Sequence, residues 1–431
     1  MQFFDGLEAS LQAASNANAE RAQGGANDKL EADVRAICQD VQARGDEALV
    51  EYGRRFDCPD LQLADLRVTP DEIERAWRDL PDSAKRALER AAKNIEAYHA
   101  RQKPQDFEFQ SPEGATLGAR YTPVERAGIY APNGRAAYPS TVLMLAIPAR
   151  VAGVRDVVLA TPAGKDGSAH PVILAAAYVA GVAEIWKMGG AAAVAALAYG
   201  TNQIQKVDKI AGPGSIYFTL AKKQLFGVVG IDGLYGPSEV AVVADESQLA
   251  NAPQLAADLL AQAEHGGDSF VVFVSPSRAV CDAVARELDS QTQASPRAKF
   301  ALEALENSLL CCVDSMQEAC QLVSECALEH VEVWSTKARH WASQITHAGA
   351  LFLNTPVPLG DYIIGPSHTL PTGVTARFAS GVGVDTFLKR TSIVEAPTSA
   401  IEMLADDLET IALLEDLPAH AAATRRAATP S

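Results

Sequence analysis

The segment Gln262-Ala263-Glu264-His265-Gly266-Gly267-Asp268 sets an amide and an imidazole three positions apart where a helix has to end. Leu259, Leu260 and Ala263 supply the apolar stripe, Gly266-Gly267 stop the helix, and Ser269–Val274 read as a buried strand. Gln262 and His265 therefore share one face of the last turn, above a sheet, where they can hold a metal or a polar substrate. A surface Gln beside a helix-capping His is the plain alternative. Leu328-Glu329-His330 stands at a helix-to-strand junction. A carboxylate next to an imidazole can supply a base and a second acid/base group or water activator; the alternative is a surface Glu and a helix-terminal His. Gly360-Asp361-Tyr362 and Gly365-Pro366-Ser367-His368 fall in one irregular stretch after the apolar Leu351–Leu353, where loop side chains are good ligand candidates. Glu415 and His420, five apart in the tail, read on their own as solvated.

The elements that must position these residues are those of an α/β protein. A chain of 431 residues is too long for one core and implies two to three domains. Residues 27–104 read as helical, with Thr69-Pro70-Asp71-Glu72 as a capping box and Asp82 opening another helix. From about 127, short apolar strands alternate with Ala-rich helices: Ala127–Tyr130, Val157–Ala160, Glu184–Met188, Lys209–Ala211, then Glu239–Ala244, Phe270–Val274, His330–Trp334 and Ala350–Leu353. That order predicts parallel sheets with crossover helices, in two doubly wound, Rossmann-like domains. The last 40 or so residues read as a helical arm, with Arg425–Ser431 frayed. Turns at strand ends, Ala131-Pro132-Asn133-Gly134, Gly189-Gly190 and Gly212-Pro213-Gly214-Ser215, allow a phosphate to approach a backbone. No G-x-G-x-x-G is present, and each turn alone is weak support for a nucleotide.

A net charge of -17 argues against nucleic acid and anionic membranes as partners. No apolar run approaches a membrane span, and the N-terminus has no signal-peptide pattern. Seven cysteines without C-x-x-C spacing fit a reduced, cytoplasmic protein.

Longer motifs then accumulate in order: Arg135–Met144, Gly230-Ile231-Asp232, Gly236-Pro237-Ser238-Glu239, Leu260–Gly266, Glu329-His330, Gly360-Asp361-Tyr362, His368–Gly373 and Phe387-Leu388-Lys389-Arg390. In these motifs the chain resembles the histidinol dehydrogenase family nearly end to end. The resemblance implies one Zn²⁺ per subunit on Gln262, His265, Asp361 and His420, a nitrogen and oxygen set that suits this ion. It implies His330 as the base that removes the hydroxyl proton and Glu329 as activator of the water in a second oxidation. Ser238, His368 and Glu415 match substrate-binding positions, beside Gln262 and His265. The family is a homodimer whose C-terminal arm crosses over, so Glu415 and His420 would complete the partner's site. The implied domains are an N-terminal arm (1–25), a discontinuous α/β domain with most of the zinc site (26–129 and 239–380), a dinucleotide domain (130–238) and the C-terminal arm (381–431).

Departures fall in the NAD cleft. The family grips the dinucleotide with a Tyr, a Gln and an Asn; this chain has Tyr130, but Ala192 and Ser215 at the other two positions. Pro132-Asn133-Gly134 replaces Pro-Gly-Gly, and Leu328 stands where a Pro precedes Glu-His. Each lost amide bond costs roughly 0.5–1.5 kcal/mol, so two weaken NAD by about one to two powers of ten. The expected activity is zinc-dependent, NAD-linked, four-electron oxidation of L-histidinol through the aldehyde to L-histidine. The alternatives are a paralogue oxidising another small polar amino alcohol, diol or imidazole or amine compound, and a zinc protein with lost or altered NAD use.

Overall fold

The computed structural model describes residues 1–23, 25–133 and 137–428. Gly134, Arg135 and Ala136 of the motifs above, and the last three residues of the tail, lie outside the described residues. The chain opens on β1 (Gln2–Asp5) and a helix over Leu7–Gln23. Helices Asp28–Arg44, Asp46–Phe56, Pro70–Arg78 and Asp82–His99 follow, then β2 (Phe107–Gln110) and β3 (Thr116–Pro123). Next come β4 (Arg126–Tyr130), β5 (Asp156–Thr161), β6 (Glu184–Lys187), β7 (Lys209–Ala211) and β8 (Gly230–Ile231). The third run is β9 (Glu239–Ala244), β10 (Phe270–Ser275), β11 (Leu309–Cys312), β12 (Leu328–Trp334) and β13 (Ala348–Leu353). β14 (Leu388–Glu395) and helices Thr398–Leu414 and Pro418–Ala428 close the chain.

Two of the three sheets formed by the described residues are wholly parallel, ordered β6-β5-β4-β7-β8 and β1-β11-β10-β9-β12-β13. In each the chain winds outward on one side and then returns to build the other. The switch points fall between β4 and β7 and between β9 and β12. Both faces are covered, which is why the strands read as continuous apolar runs. Ala241, Val243, Val272 and Val274 enter one core and Val240, Val242, Val271 and Phe273 the other.

The capping box forms as read: Thr69 Oγ1 accepts from the Glu72 N–H and the Glu72 carboxylate accepts from the Thr69 N–H at 2.7 Å. Other features depart from expectation. The segment expected as an N-terminal arm (1–25) opens on β1, an edge strand paired with β11, and its Leu7–Gln23 helix packs on the helix Met316–Cys326. The helices of 28–99, expected with β9–β13, instead cover both faces of the β4–β8 sheet. Val34, Cys38 and Leu49 join the core of Trp186 and Ile210, while Ile73, Ala91 and Ile95 join that of Ile129 and Leu159. Their amphipathic stripes are equally suited to either sheet, so periodicity could not choose. β14-β3-β2 is a third, antiparallel sheet that the reading did not contain. Arg425, expected in a frayed end, is helical and pairs with Asp406 and Glu409.

The turn after β7 is fixed from beneath. Gly212 N–H donates to Asp232 Oδ2 at 2.7 Å and Gly212 C=O accepts from Lys222 Nζ at 3.0 Å. Lys222 and Asp232 are themselves a fully buried ion pair at 2.5 Å. Gly212 has φ +129°, and a Cβ there would lie 2.5 Å from the Tyr130 carbonyl. Gly212→Ala should cost more than about 1 kcal/mol. Chemical denaturation checks this, and a variant as stable as the parent would contradict it.

Candidate active site

Glu239 opens β9 and occupies three positions of the site at once. Its N–H donates to Glu329 Oε2 at 3.0 Å, and its carbonyl lies 3.2 Å from His330 Nδ1. Its carboxylate, 2% exposed as a residue, takes two bonds from Arg21 at 2.9 and 3.1 Å and one from the Gly373 N–H at 2.9 Å. β9 and β12 are neighbours at a switch point, so the backbone of one holds the catalytic candidates of the other. The Nδ1 contact to a carbonyl makes that nitrogen the donor and aims Nε2 at the cleft.

Nε2 of His330 lies 3.2 Å from Asp361 Oδ1, close in charge but without hydrogen-bond geometry. Burial alone would depress the His330 pKa; the fields of Glu329 and Asp361 overcome it and raise it well above the usual imidazole range. Burial raises Glu329, against the opposing pull of His330. Asp361 is also buried, yet the His330 field holds it below the ordinary carboxylate value. Burial pushes the His265 and His368 imidazoles below their usual range, against the opposing field of Asp361.

The helix carrying Gln262 runs over Ala252–Ala263, so it ends two residues before His265 rather than including it. His265 follows in a turn closed by its N–H to the Gln262 carbonyl at 3.2 Å. The negative end of that helix faces the cleft, an arrangement that favours a cation. Gln262 is 2% exposed and its Oε1 is buried without a partner, as is Asp361 Oδ1. Gln262 Oε1, Asp361 Oδ1 and His330 Nε2 thus lack hydrogen-bond partners around one cleft, the last two meeting only as a charge pair, a pattern that costs stability unless a ligand answers it.

The cleft has a volume of about 570 Å³ and runs between the two parallel sheets. Ser238, Gln262, His265, Glu329, His330, Asp361 and His368 line it from the amino ends of the β9–β13 sheet and its loops. Pro132, Pro213, Gly214 and Ser215 line it from the carboxyl ends of β4 and β7. His368 ties the walls together: Nε2 is 3.0 Å from Thr141 Oγ1 and Nδ1 is 2.8 Å from the Asp361 carbonyl. Both ring nitrogens are thus engaged within the protein, and its first task is to hold the Asp361 turn.

Not every expected residue arrives. Glu415 and His420 are exposed on the C-terminal helical pair and do not line the cleft. Among the described residues no group of three or more His, Cys, Asp or Glu is gathered as a metal requires. Of the cofactor positions only Ser215 lines the cleft. Tyr130 is buried, stacked on Phe218 at 4.0 Å, and its hydroxyl accepts from the Gly190 N–H at 3.3 Å. Ala192 is 6% exposed within an apolar core. Arg21, Glu239 and Thr141 join the site without having been expected there. Glu239 and Thr141 lie inside the family-like motifs; Arg21 has no local signal, because its partner is 218 residues away.

A histidinol dehydrogenase family model matches residues 20–427. The chain belongs to the histidinol dehydrogenase family. It is 46% identical over 398 residues to a histidinol dehydrogenase from Synechococcus sp., covering 92% of this chain and 91% of that one. It is 43% identical over 410 residues to a histidinol dehydrogenase from Prochlorococcus marinus, covering 94% and 92%. The crystal structure of histidinol dehydrogenase from Elizabethkingia anophelis superposes with a TM-score of 0.92 at 35% identity, covering 99% and 98% of the two chains. The family is one of oxidoreductases, and the α/β architecture with parallel sheets is shared. Among the described residues, no helix is long and apolar enough to cross a membrane.

Within this histidinol dehydrogenase fold, Arg21 is the counter-charge of the Glu239 node. Arg21→Ala leaves a buried carboxylate without its cation and should cost on the order of 3 kcal/mol. Urea denaturation measures it; a loss below about 0.5 kcal/mol, the level of a surface pair, would show that Glu239 does not depend on Arg21.

Proposed function

We propose that this chain is a zinc-dependent, NAD-linked dehydrogenase that oxidises L-histidinol through the aldehyde to L-histidine. The observation that carries the reading is the ring of orphaned polar atoms, Gln262 Oε1, Asp361 Oδ1 and His330 Nε2, beside the buried Glu329. Gln262, His265 and Asp361 fit zinc in donor chemistry, and burial shifts His265 toward the neutral form that a ligand needs. When bound, zinc would orient and polarise the substrate's polar groups and NAD would accept hydride.

The chain's own residues do the rest. With Asp361 taken up as a metal donor, its field would no longer hold a proton on His330, which is fixed by Glu239 through Nδ1 and accepts the substrate's hydroxyl proton at Nε2. Glu329, held by the Glu239 N–H, takes a proton from the water that adds to the aldehyde. Ser238 and His368 border the substrate, and the shared walls of the cleft limit access of bulk water.

His420 and Glu415 reach a site only from a second subunit in this reading. The tail supports it: Met403, Ile411 and Leu414 are 59%, 59% and 80% exposed on a helical pair that packs mainly on itself. The proposed state is a homodimer with exchanged arms, working in the cytoplasm. A second reading, in which the chain oxidises another small polar alcohol or uses NAD differently, is favoured by Ala192 and by the burial of the Tyr130 hydroxyl.

His330→Ala should remove hydride transfer from L-histidinol while zinc stays bound; substantial remaining rate would displace His330 as the base. His265→Ala and His420→Ala homodimers should each be inactive, and mixing them should recover some activity through one intact site. No recovery would mean that the arm serves its own chain. Ser215→Asn should tighten NAD by up to about tenfold, the worth of one hydrogen bond, in calorimetry. Unchanged affinity would show that this turn does not touch the cofactor.

A further inference from the structure

Behind the cleft, the same three elements meet a second time. On β12, His330 and Glu332 stand two apart and share one face. On the helix Ala252–Ala263, Asp258 and Gln262 stand four apart and share another. The segment 357–361 passes both, bringing Val357 to Glu332 and Asp361 to His330. His330, Gln262 and Asp361 form the row that faces the cleft. Glu332, Asp258 and Val357 form the row beneath it.

This lower row has a deficit of donors. Glu332 is wholly buried; it accepts from the Val357 N–H at 2.8 Å and from Trp334 Nε1 at 2.7 Å. Asp258 is 3% exposed; its Oδ1 accepts from Gln254 Nε2 at 2.8 Å and its Oδ2 has no donor. The two carboxyl groups lie within hydrogen-bonding reach of each other. Two ionised carboxylates in contact in a dry interior repel and leave an oxygen unsatisfied. One proton between them removes both costs.

We propose that Asp258 and Glu332 share a single proton, and that this pair is a positioning device setting the spacing between the helix end that bears Gln262 and His265 and the turn that bears Asp361. The consequence for metal binding rests on the zinc reading above; the shared proton does not. Burial raises Asp258, and burial together with the Asp258 charge raises Glu332 well above the usual carboxylate range. Among the described residues, the other groups that bear on the pair are the neutral donors Gln254, Trp334 and the Val357 N–H. β9 and β13 present Val242 and Phe352 beside Glu332. Glu246, Asp282, Glu287 and Glu303, on the elements packed against the Asp258 helix, are at least partly exposed.

A carboxyl whose pKa is raised on folding leaves stability untouched below its unfolded value of about 4. Stability is then lost as pH climbs from there through the folded value. Asp258→Asn replaces the shared proton with a permanent amide donor to Glu332 and keeps the acceptor for Gln254. Melting temperatures of the full-length, metal-free protein should therefore show Asp258→Asn gaining on wild type as pH rises. A constant difference across the range overturns the shared proton. Glu332→Gln instead sets an amide against the N–H of Val357 or Trp334. In a chelator competition with Zn²⁺ alone it should bind the metal about 10–100-fold more weakly, while Asp258→Asn stays close to wild type. Equal zinc affinity in Glu332→Gln overturns the positioning role. Wild type that takes no zinc overturns the metal reading and the positioning role together, and the metal-free pH comparison still decides the proton.

Discussion

The buried carboxylate of Glu239 is the constraint on which the site depends. A charge at that depth is tolerated only when paired and hydrogen-bonded, and Arg21 and the Gly373 N–H satisfy it. With the side chain fixed, the backbone of the same residue is fixed too, and its N–H and C=O orient Glu329 and His330. One residue thus couples the N-terminal helix, the loop at 373 and the two strands at the switch point. The relation gives the helix at the start of the chain a direct part in fixing the candidate site.

The second constraint is the meeting of two sheets with opposite ends toward one cleft. The β4–β8 sheet offers the glycine-rich turns at its carboxyl ends, where backbone can approach a ligand. The β9–β13 sheet offers its amino ends, where the chain arrives from a helix terminus at Gln262 and enters strands at Glu239 and Glu329. The acid/base candidates and the proposed metal donors therefore stand on one wall and the glycine-rich turns on the other. His368 spans them through Thr141 and the Asp361 carbonyl. Under the proposed function, such a cleft would let a small polar alcohol lie between a base and a hydride acceptor.

Much of this was legible in the sequence, for identifiable reasons. Thr69 to Glu72 is a local signal, and its capping box forms. Strands such as Phe270–Ser275 are buried on both faces, so their apolar runs stand out. Gly266-Gly267 marked the end of the Gln262 helix to within two residues. What stayed hidden depends on contacts between distant segments. β1 is four residues whose role is set by β11, some 300 residues on. The helices of 28–99 carry stripes that do not name their sheet. β2 and β14 are largely exposed and β3 is half-buried along both faces, so alternation is weak. Gln262, His265 and Asp361 converge only in three dimensions, and within one chain His420 does not join them.

One wall carries the buried acid/base candidates Glu329 and His330, while the other carries Ser215 where an amide was expected, and Ala192 lies behind it in an apolar core. The most direct test of the account is the stoichiometry of NADH formed from L-histidinol by the zinc-loaded protein. The account predicts two NADH for each histidine produced. Tight zinc binding with no NADH from L-histidinol would contradict it, and would assign this site to a different alcohol or to chemistry without NAD.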